Sequence, residues 1–139
     1  MVFRQATGGT MKVTVAMTDE SAVKERYNRT SVPGYVDFAV SVVSVDGHAT
    51  VRVIGELDTS TAPRLRATLV GLVADGVRHV TLDLGETSFM DSTGLSVLVG
   101  GLKRLREHGG DMVVRSPSRV TLRLFEMTGL DAVFTVATA

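Results

Sequence analysis

A short polar segment, Asp91-Ser92-Thr93-Gly94, lies between the apolar pair Phe89-Met90 and a helical pattern that begins at Leu95. The first amides of a helix have no acceptor within the helix, and the helix dipole favours negative charge there. A phosphate on Ser92 would therefore occupy a favourable anion site without disrupting the fold. Its added charge of about −1.5 to −2, beside Asp91, would change what can bind to this surface.

The same four residues also have a purely structural interpretation. Asp91, Ser92 or Thr93 can cap the N-terminus of the helix, because short polar side chains accept hydrogen bonds from its first amides. Gly94 can be a small residue at a close packing contact. Residue types and spacing alone do not decide between a cap and a modification site.

The patterns around this segment alternate between strand and helix. Asp46-Gly47 is a hairpin turn signal, Gly85 to Ser88 is predicted as a loop, and Gly129 is predicted as a left-handed helix cap. Strands are predicted near 38–45, 48–55, 77–84, 112–114 and 132–136; helices are predicted from Ala62 to Asp75-Gly76, from Leu95 to Gly109-Gly110, and from a cap at Ser116-Pro117 onward. This order predicts an α/β fold: a mixed, mostly parallel sheet of four to five strands with an N-terminal β-hairpin and helices packed against it.

The length of 139 residues suits one domain, and 44% hydrophobic residues with few aromatics predict an aliphatic core. Residues 1–35 show no sustained period, so we expect a flexible N-terminal extension followed by a folded domain over 36–139. The stretch Met11 to Met17 alternates weakly and could add an edge strand.

Composition argues against several classes of protein. The net charge is zero and no basic stripe is visible, which argues against direct nucleic-acid binding. The absence of Cys excludes disulfides, and three dispersed His residues favour neither a metal site nor a cofactor. No apolar run approaches the ~18 residues that span a bilayer. No plausible signal peptide begins the chain, and we expect a cytoplasmic protein without membrane contact.

Two motifs together resemble the STAS domain, from about Tyr35 to Thr138, and most closely its anti-sigma factor antagonist branch. One is Gly55-Glu56-Leu57-Asp58, followed by Thr61-Ala62-Pro63; the other runs from Phe89 through Gly94-Leu95 to Val97-Leu98-Val99-Gly100. The stretch Leu124 to Leu130 is also similar to the third helix of that family. The resemblance implies the STAS fold over this part of the chain.

The resemblance further implies a regulatory cycle. Ser92 would be the phosphorylated residue, with its neighbour Thr93 a less favoured acceptor. The partner would be an anti-sigma factor that is also an ATP-binding serine kinase. The unphosphorylated protein would bind this partner and so release a sigma factor. A phosphatase would remove the phosphate from Ser92 and restore the unphosphorylated protein. Loops after parallel strands meet at one edge of a sheet. We therefore expect Asp58, Asp91, Ser92, Thr93 and Gly94 to form the partner-binding surface, although Asp58 could equally be a helix cap.

Two other interpretations compete with the regulatory one. An enzyme with Ser92 as nucleophile would need a Gly-x-Ser-x-Gly turn, but Met90 and Gly94 flank the serine, and no Gly-Lys-Ser/Thr phosphate loop occurs. We therefore predict no enzyme activity. A STAS domain can also act without switching, as a scaffold in a stress-sensing assembly or an accessory module in lipid transport. We expect a monomer or a weak dimer.

Overall fold

The computed structural model describes residues 3–8, 11–16 and 38–137. The described strands are β1 (Phe3–Gly8), β2 (Met11–Ala16), β3 (Phe38–Val45), β4 (His48–Leu57), β5 (His79–Met90), β6 (Asp111–Arg115) and β7 (Thr135–Ala137). The described helices are α1 (Ala62–Ala74), α2 (Ser92–Glu107) and α3 (Arg119–Thr128), followed by a short 3-10 helix at Leu130–Ala132.

The described strands form one sheet in chain order, from β1 to β7. The pairs from β1 to β4 are antiparallel, and those from β4 to β7 are parallel. The crossovers between parallel strands carry α1, α2 and α3 in turn. The predicted α/β fold, with a mixed sheet, an N-terminal hairpin and packed helices, is therefore confirmed. β3 to β7 correspond to the five expected strands, although the last one begins at Thr135 rather than at 132, because the 3-10 helix includes Ala132.

Two strands lie where the sequence indicates a flexible extension. β1 pairs with β2, and β2 continues the sheet by pairing with β3, with Met11 opposite Val45. The structure thus differs from the expectation over these twelve residues, and the strand over Met11–Ala16 agrees with the weak alternation there. The boundary between an extension and a domain at residue 36 stays a prediction, because residues 17–37 lie outside the described ranges.

The β3–β4 hairpin turns at the predicted Asp46-Gly47 pair. Both residues have positive φ, 47° and 79°, which is the geometry of a tight hairpin turn whose twist matches that of the strands. Val45 pairs with His48 on either side of the turn. This turn fixes the register of the hairpin and so decides which face of β4 enters the core.

The core lies on one face of the sheet, beneath the helices. Alternate residues of β3, β4 and β5 are buried, as in strands with one covered face. Their partners on α1 and α2 are Leu side chains at helical spacing. The wholly buried side chains include Phe38, Val42, Val51, Val53, Leu57, Leu65, Leu82, Leu98, Leu105, Met112 and Phe125.

The predicted loop from Gly85 to Ser88 is wrong, because β5 continues without interruption to Met90. Its second half pairs with the end of β4, where the register shifts between Arg52 and Ile54 and again between Gly55 and Glu56. Thr87 is buried in this stretch, and its hydroxyl donates to the carbonyl oxygen of Val53 at 2.8 Å. These shifts break the alternation of polar and apolar residues, which is why the sequence resembles a loop.

The start of α3 also differs from the prediction. Ser116 has φ +54°, and its amide donates to Ala137 in β7 at 2.8 Å, so its backbone is committed to the sheet edge. The cap is Ser118, whose hydroxyl oxygen accepts from the amide of Thr121 at 3.1 Å. The helix ends as predicted at Gly129, with φ 77°.

Candidate functional site

The candidate site lies where β4 and β5 end side by side. Leu57 and Met90 are parallel partners at the last position of each strand. The amide of Asp91 donates to the carbonyl oxygen of Leu57 at 3.2 Å, which joins the two connections that follow. We name these the Asp58 loop (Asp58–Thr61) and the Ser92 turn (Asp91–Gly94).

Asp91 is the N-cap of α2. Its carboxylate oxygen Oδ1 accepts from the amide of Thr93 at 2.9 Å and from that of Gly94 at 3.1 Å. Its backbone is extended, with φ −108° and ψ −173°, as capping requires. The carboxylate therefore turns back onto the helix and satisfies two of its free amides.

Ser92 is the first residue of α2 and is exposed. Its hydroxyl has no hydrogen-bond partner among the residues that the structure describes. Asp91 provides the cap, so the Ser92 side chain takes no part in the capping bonds at the start of α2. The hydroxyl is thus free to meet another molecule.

Thr93 and the Asp58 loop are in contact. The Oγ1 atoms of Thr93 and Thr59 lie 3.4 Å apart, so either can donate to the other. Thr93 is partly buried, whereas Thr59 is exposed. The structure therefore brings the Asp58 loop beside the Ser92 turn, and Thr59 is a member of this surface that the sequence patterns did not single out.

Gly94 lies beneath the turn and is buried. A Cβ atom at this position would lie 2.9 Å from the Cγ atoms of Leu57 and Met90. Carbon atoms normally approach no closer than about 3.5 Å. A glycine here lets α2 approach the ends of both strands, so its effect on the surface comes through packing.

The carboxylate of Asp58 organises its own loop. Its Oδ1 atom accepts from the hydroxyl and the amide of Ser60, at 2.8 Å and 2.9 Å, and from the amide of Thr61 at 3.2 Å. The Ser60 hydroxyl, helped by the amides of Ser60 and Thr61, lowers the pKa of Asp58 below its ordinary value, against a smaller opposing effect of desolvation. The loop therefore holds a negative charge in a fixed position beside the Ser92 turn.

A family model for the STAS domain matches residues 39–139 of this chain. The chain belongs to the STAS domain family. Two curated relatives are named anti-sigma-B factor antagonist. The one from Listeria monocytogenes is 41% identical over 90 residues, which covers 64% of this chain and 78% of the relative. The one from Staphylococcus aureus is 38% identical over 91 residues, which covers 66% of this chain and 84% of the relative.

A solved structure agrees with these sequence matches. The crystal structure of an anti-sigma factor antagonist from Mycobacterium paratuberculosis superposes with a TM-score of 0.66 and 31% sequence identity, over 76% of this chain and 88% of that one. These findings place the present STAS domain in the anti-sigma factor antagonist branch, as its two motifs predict.

Phe89 gives this STAS domain an exposed aromatic ring next to the site. The side chain is 48% exposed, although its neighbour Met90 is buried. The register shifts in β4 and β5 turn it to the open side, opposite Glu56. The sequence shows only an apolar pair at this point, and no simple alternation predicts which member is exposed.

The described part of this STAS domain shows no group of three or more acidic, His or Cys side chains that could hold a metal ion. No helix within the same ranges is long and apolar enough to cross a membrane. Within the described residues, the site presents the exposed hydroxyl of Ser92, the hydrogen-bonded carboxylates of Asp58 and Asp91, and the start of α2.

Proposed function

We propose that this protein is an anti-sigma factor antagonist that is switched off by phosphorylation of Ser92. In the unphosphorylated form it binds an anti-sigma factor and so releases a sigma factor. The observation that carries this proposal is the hydroxyl of Ser92, which is exposed at the start of α2 beside the Asp58 loop and has no hydrogen-bond partner among the residues that the structure describes. The names of the curated relatives support the antagonist role.

The partner in this proposal is an ATP-dependent serine kinase as well as an anti-sigma factor. The hydroxyl oxygen of Ser92 attacks the γ-phosphorus of ATP, a new P–O bond forms, and ADP leaves. The hydroxyl proton passes to a base or water on the kinase side. A separate phosphatase hydrolyses the phosphoester and restores the hydroxyl with release of phosphate.

Local electrostatics explain why the phosphate would alter binding more than folding. The helix N-terminus stabilises a nearby anion by about 0.3–1 kcal/mol, while the neighbouring carboxylate of Asp91 opposes it by a similar small amount. The capping bonds from Thr93 and Gly94 to Asp91 do not involve the Ser92 side chain. The surface charge nevertheless changes by about −1.5 to −2 at the centre of the proposed interface.

We also propose that the protein works in the cytoplasm, as a monomer or weak dimer, and acts through protein partners rather than on nucleic acid directly. It has no catalytic task of its own in this scheme: the kinase and the phosphatase perform both reactions. The recognition surface comprises Asp58, Asp91, Ser92 and Thr93, with Gly94 supporting it from below.

Mass spectrometry can test the proposal directly. The purified protein is mixed with candidate anti-sigma kinases from the same genome and ATP, and added phosphate is located in the intact protein and in its peptides. We expect one phosphate on Ser92, lost in Ser92→Ala and retained in Ser88→Ala, a matched exposed serine on β5. If no kinase modifies the folded protein, the switch is refuted and a non-switching scaffold or accessory role takes its place.

A further inference from the structure

A groove of about 360 Å³ runs between α1 and α2 and opens at the Ser92 turn. Its walls include Arg66 and Val70 from α1, and Thr93, Ser96, Gly100 and Arg104 from α2. Thr93 belongs both to this groove and to the surface around Ser92. The groove therefore continues the site along the outer face of the two helices.

Adjacent glycines in α2 create the groove. At Gly101 a Cβ atom would lie 2.7 Å from Cδ1 of Leu69, so this glycine lets the two helices approach closely. At Gly100 a Cβ atom would meet nothing within 4 Å, so the bottom of the groove at this residue has free space above it. Val70, 37% exposed, adds an apolar wall. The result is an apolar trough of the kind that receives a helix.

The charge of the groove has one sign. Arg66 and Arg104 line it, and none of its lining residues is acidic. Neither arginine side chain has an ion pair or hydrogen bond within the described ranges, whereas Arg52, Arg106 and Arg115 each pair with a carboxylate. An occupant with acidic side chains would supply the missing partners.

The two arginines are spaced along the trough. Because β4 and β5 are parallel, α1 and α2 begin at the same sheet edge and run in the same direction. Arg104 lies eight residues further along its helix than Arg66 does along its own. At about 1.5 Å per residue the two levels differ by about 12 Å, or about two helical turns.

We propose that this groove binds an acidic amphipathic helix of the anti-sigma factor. Acidic residues about seven positions apart in that helix would meet Arg66 and Arg104, and the apolar residues between them would meet Val70 and the floor at Gly100. The identity of the partner rests on the proposed function. Phosphate on Ser92 would sit next to Thr93, at the Arg66 end of the groove, and would repel the same acidic helix.

The first experiment measures the affinity of the cognate anti-sigma factor for variants by calorimetry. Gly100→Leu places a bulky side chain in the trough at a position where the added Cβ meets nothing within 4 Å, and Arg66→Glu or Arg104→Glu reverses the charge of the trough. We expect each to weaken binding by about tenfold or more, with the arginine effects shrinking as salt rises from about 50 mM to about 500 mM. Arg123→Glu is the matched control, since it is an exposed arginine on α3, and we expect it to bind as the unmodified protein does.

The results separate the groove from the switch. If Ser92→Asp abolishes binding while Gly100→Leu and Arg66→Glu bind normally and remain folded by circular dichroism, the proposed function stands and the groove proposal is overturned. If Ser92→Asp abolishes binding, the groove variants bind weakly and Arg123→Glu binds normally, both proposals stand. Hydrogen exchange on the complex should then show protection of an acidic helix in the anti-sigma factor.

A second probe keeps the groove testable if no anti-sigma factor binds. A synthetic helical peptide of about 14 residues, with glutamates seven apart and leucines between them, is titrated into the isotope-labelled protein. Amide shifts at Val70, Ser96 and Gly100 that vanish in Gly100→Leu would support an acidic helix site even though the proposed function had failed. No shifts, or shifts elsewhere on the surface, would overturn the groove proposal.

Discussion

Replacing Gly94 by Ala should destabilise the protein, whereas the same change at Gly100 should not. At Gly94 the added Cβ would lie 2.9 Å from carbon atoms of Leu57 and Met90. Both neighbours are buried, with exposures of 0% and 5%, so they have little room to retreat. Overpacking of this kind costs about 1–3 kcal/mol, and the better helix propensity of Ala returns about 0.5–1 kcal/mol.

The expected net effect at Gly94 is a loss of about 1–2 kcal/mol in the free energy of unfolding. Gly100 lies in the same helix with open space around it, so Ala there should gain about 0.5–1 kcal/mol. Urea unfolding followed by circular dichroism measures both, and the two variants should differ by about 2 kcal/mol. If Gly94→Ala proves as stable as Gly100→Ala, the close approach of α2 to the ends of β4 and β5 is not a packing constraint, and our account of Gly94 is wrong.

Three further predictions concern the polar groups of the site. Asp91→Ala should lower the free energy of unfolding by about 1–2 kcal/mol, because the amides of Thr93 and Gly94 lose their acceptor. Asp91→Asn should lower it by less. If urea unfolding shows no decrease for Asp91→Ala, the capping role is contradicted. Ser92→Asp should weaken binding to the anti-sigma factor by about tenfold or more in calorimetry, while the neutral Ser92→Ala binds normally. The pKa of Asp58 is lower in the folded protein than its ordinary value of 3.8. Its stabilising effect is therefore present above about pH 4 and lost as the pH falls through the folded value; the advantage of the unmodified protein over Asp58→Asn should shrink on acidification, and an advantage that grows there would refute the assignment.

Local patterns predicted most of the fold. Asp46-Gly47 and Gly129 have the positive φ values that their residue types favour, and the Leu residues that recur at helical spacing in α1 and α2 are among the buried ones. The failures have a common cause: tertiary pairing decided the local structure. The segment from Gly85 to Ser88 is a strand because β4 pairs with it through an irregular register. Ser118 rather than Ser116 caps α3, because the amide of Ser116 donates a hydrogen bond to β7.

The position of the candidate site could also be predicted from the sequence, but its contacts could not. Parallel strand order places the Asp58 loop beside the Ser92 turn, and their contact through Thr59 and Thr93 is what the structure adds. The sequence left open which polar residue caps α2, since Asp91, Ser92 and Thr93 are all competent. The groove between α1 and α2 was not predictable from the sequence. It depends on how the two helices pack, with Gly101 of α2 against Leu69 of α1 and Gly100 facing open space.

The division of tasks between Asp91 and Ser92 has a consequence for how long the protein survives in a cell. The residue that secures the start of α2 is not the residue proposed to be modified, so adding or removing phosphate leaves the capping bonds in place. Proteolysis in cells tracks the population of opened molecules, which depends on the free energy of unfolding. Both forms should therefore be degraded at similar rates. Under the proposed function, one population of molecules would pass through many rounds of modification and recovery, and the balance between the proposed kinase and phosphatase would set the response without new synthesis.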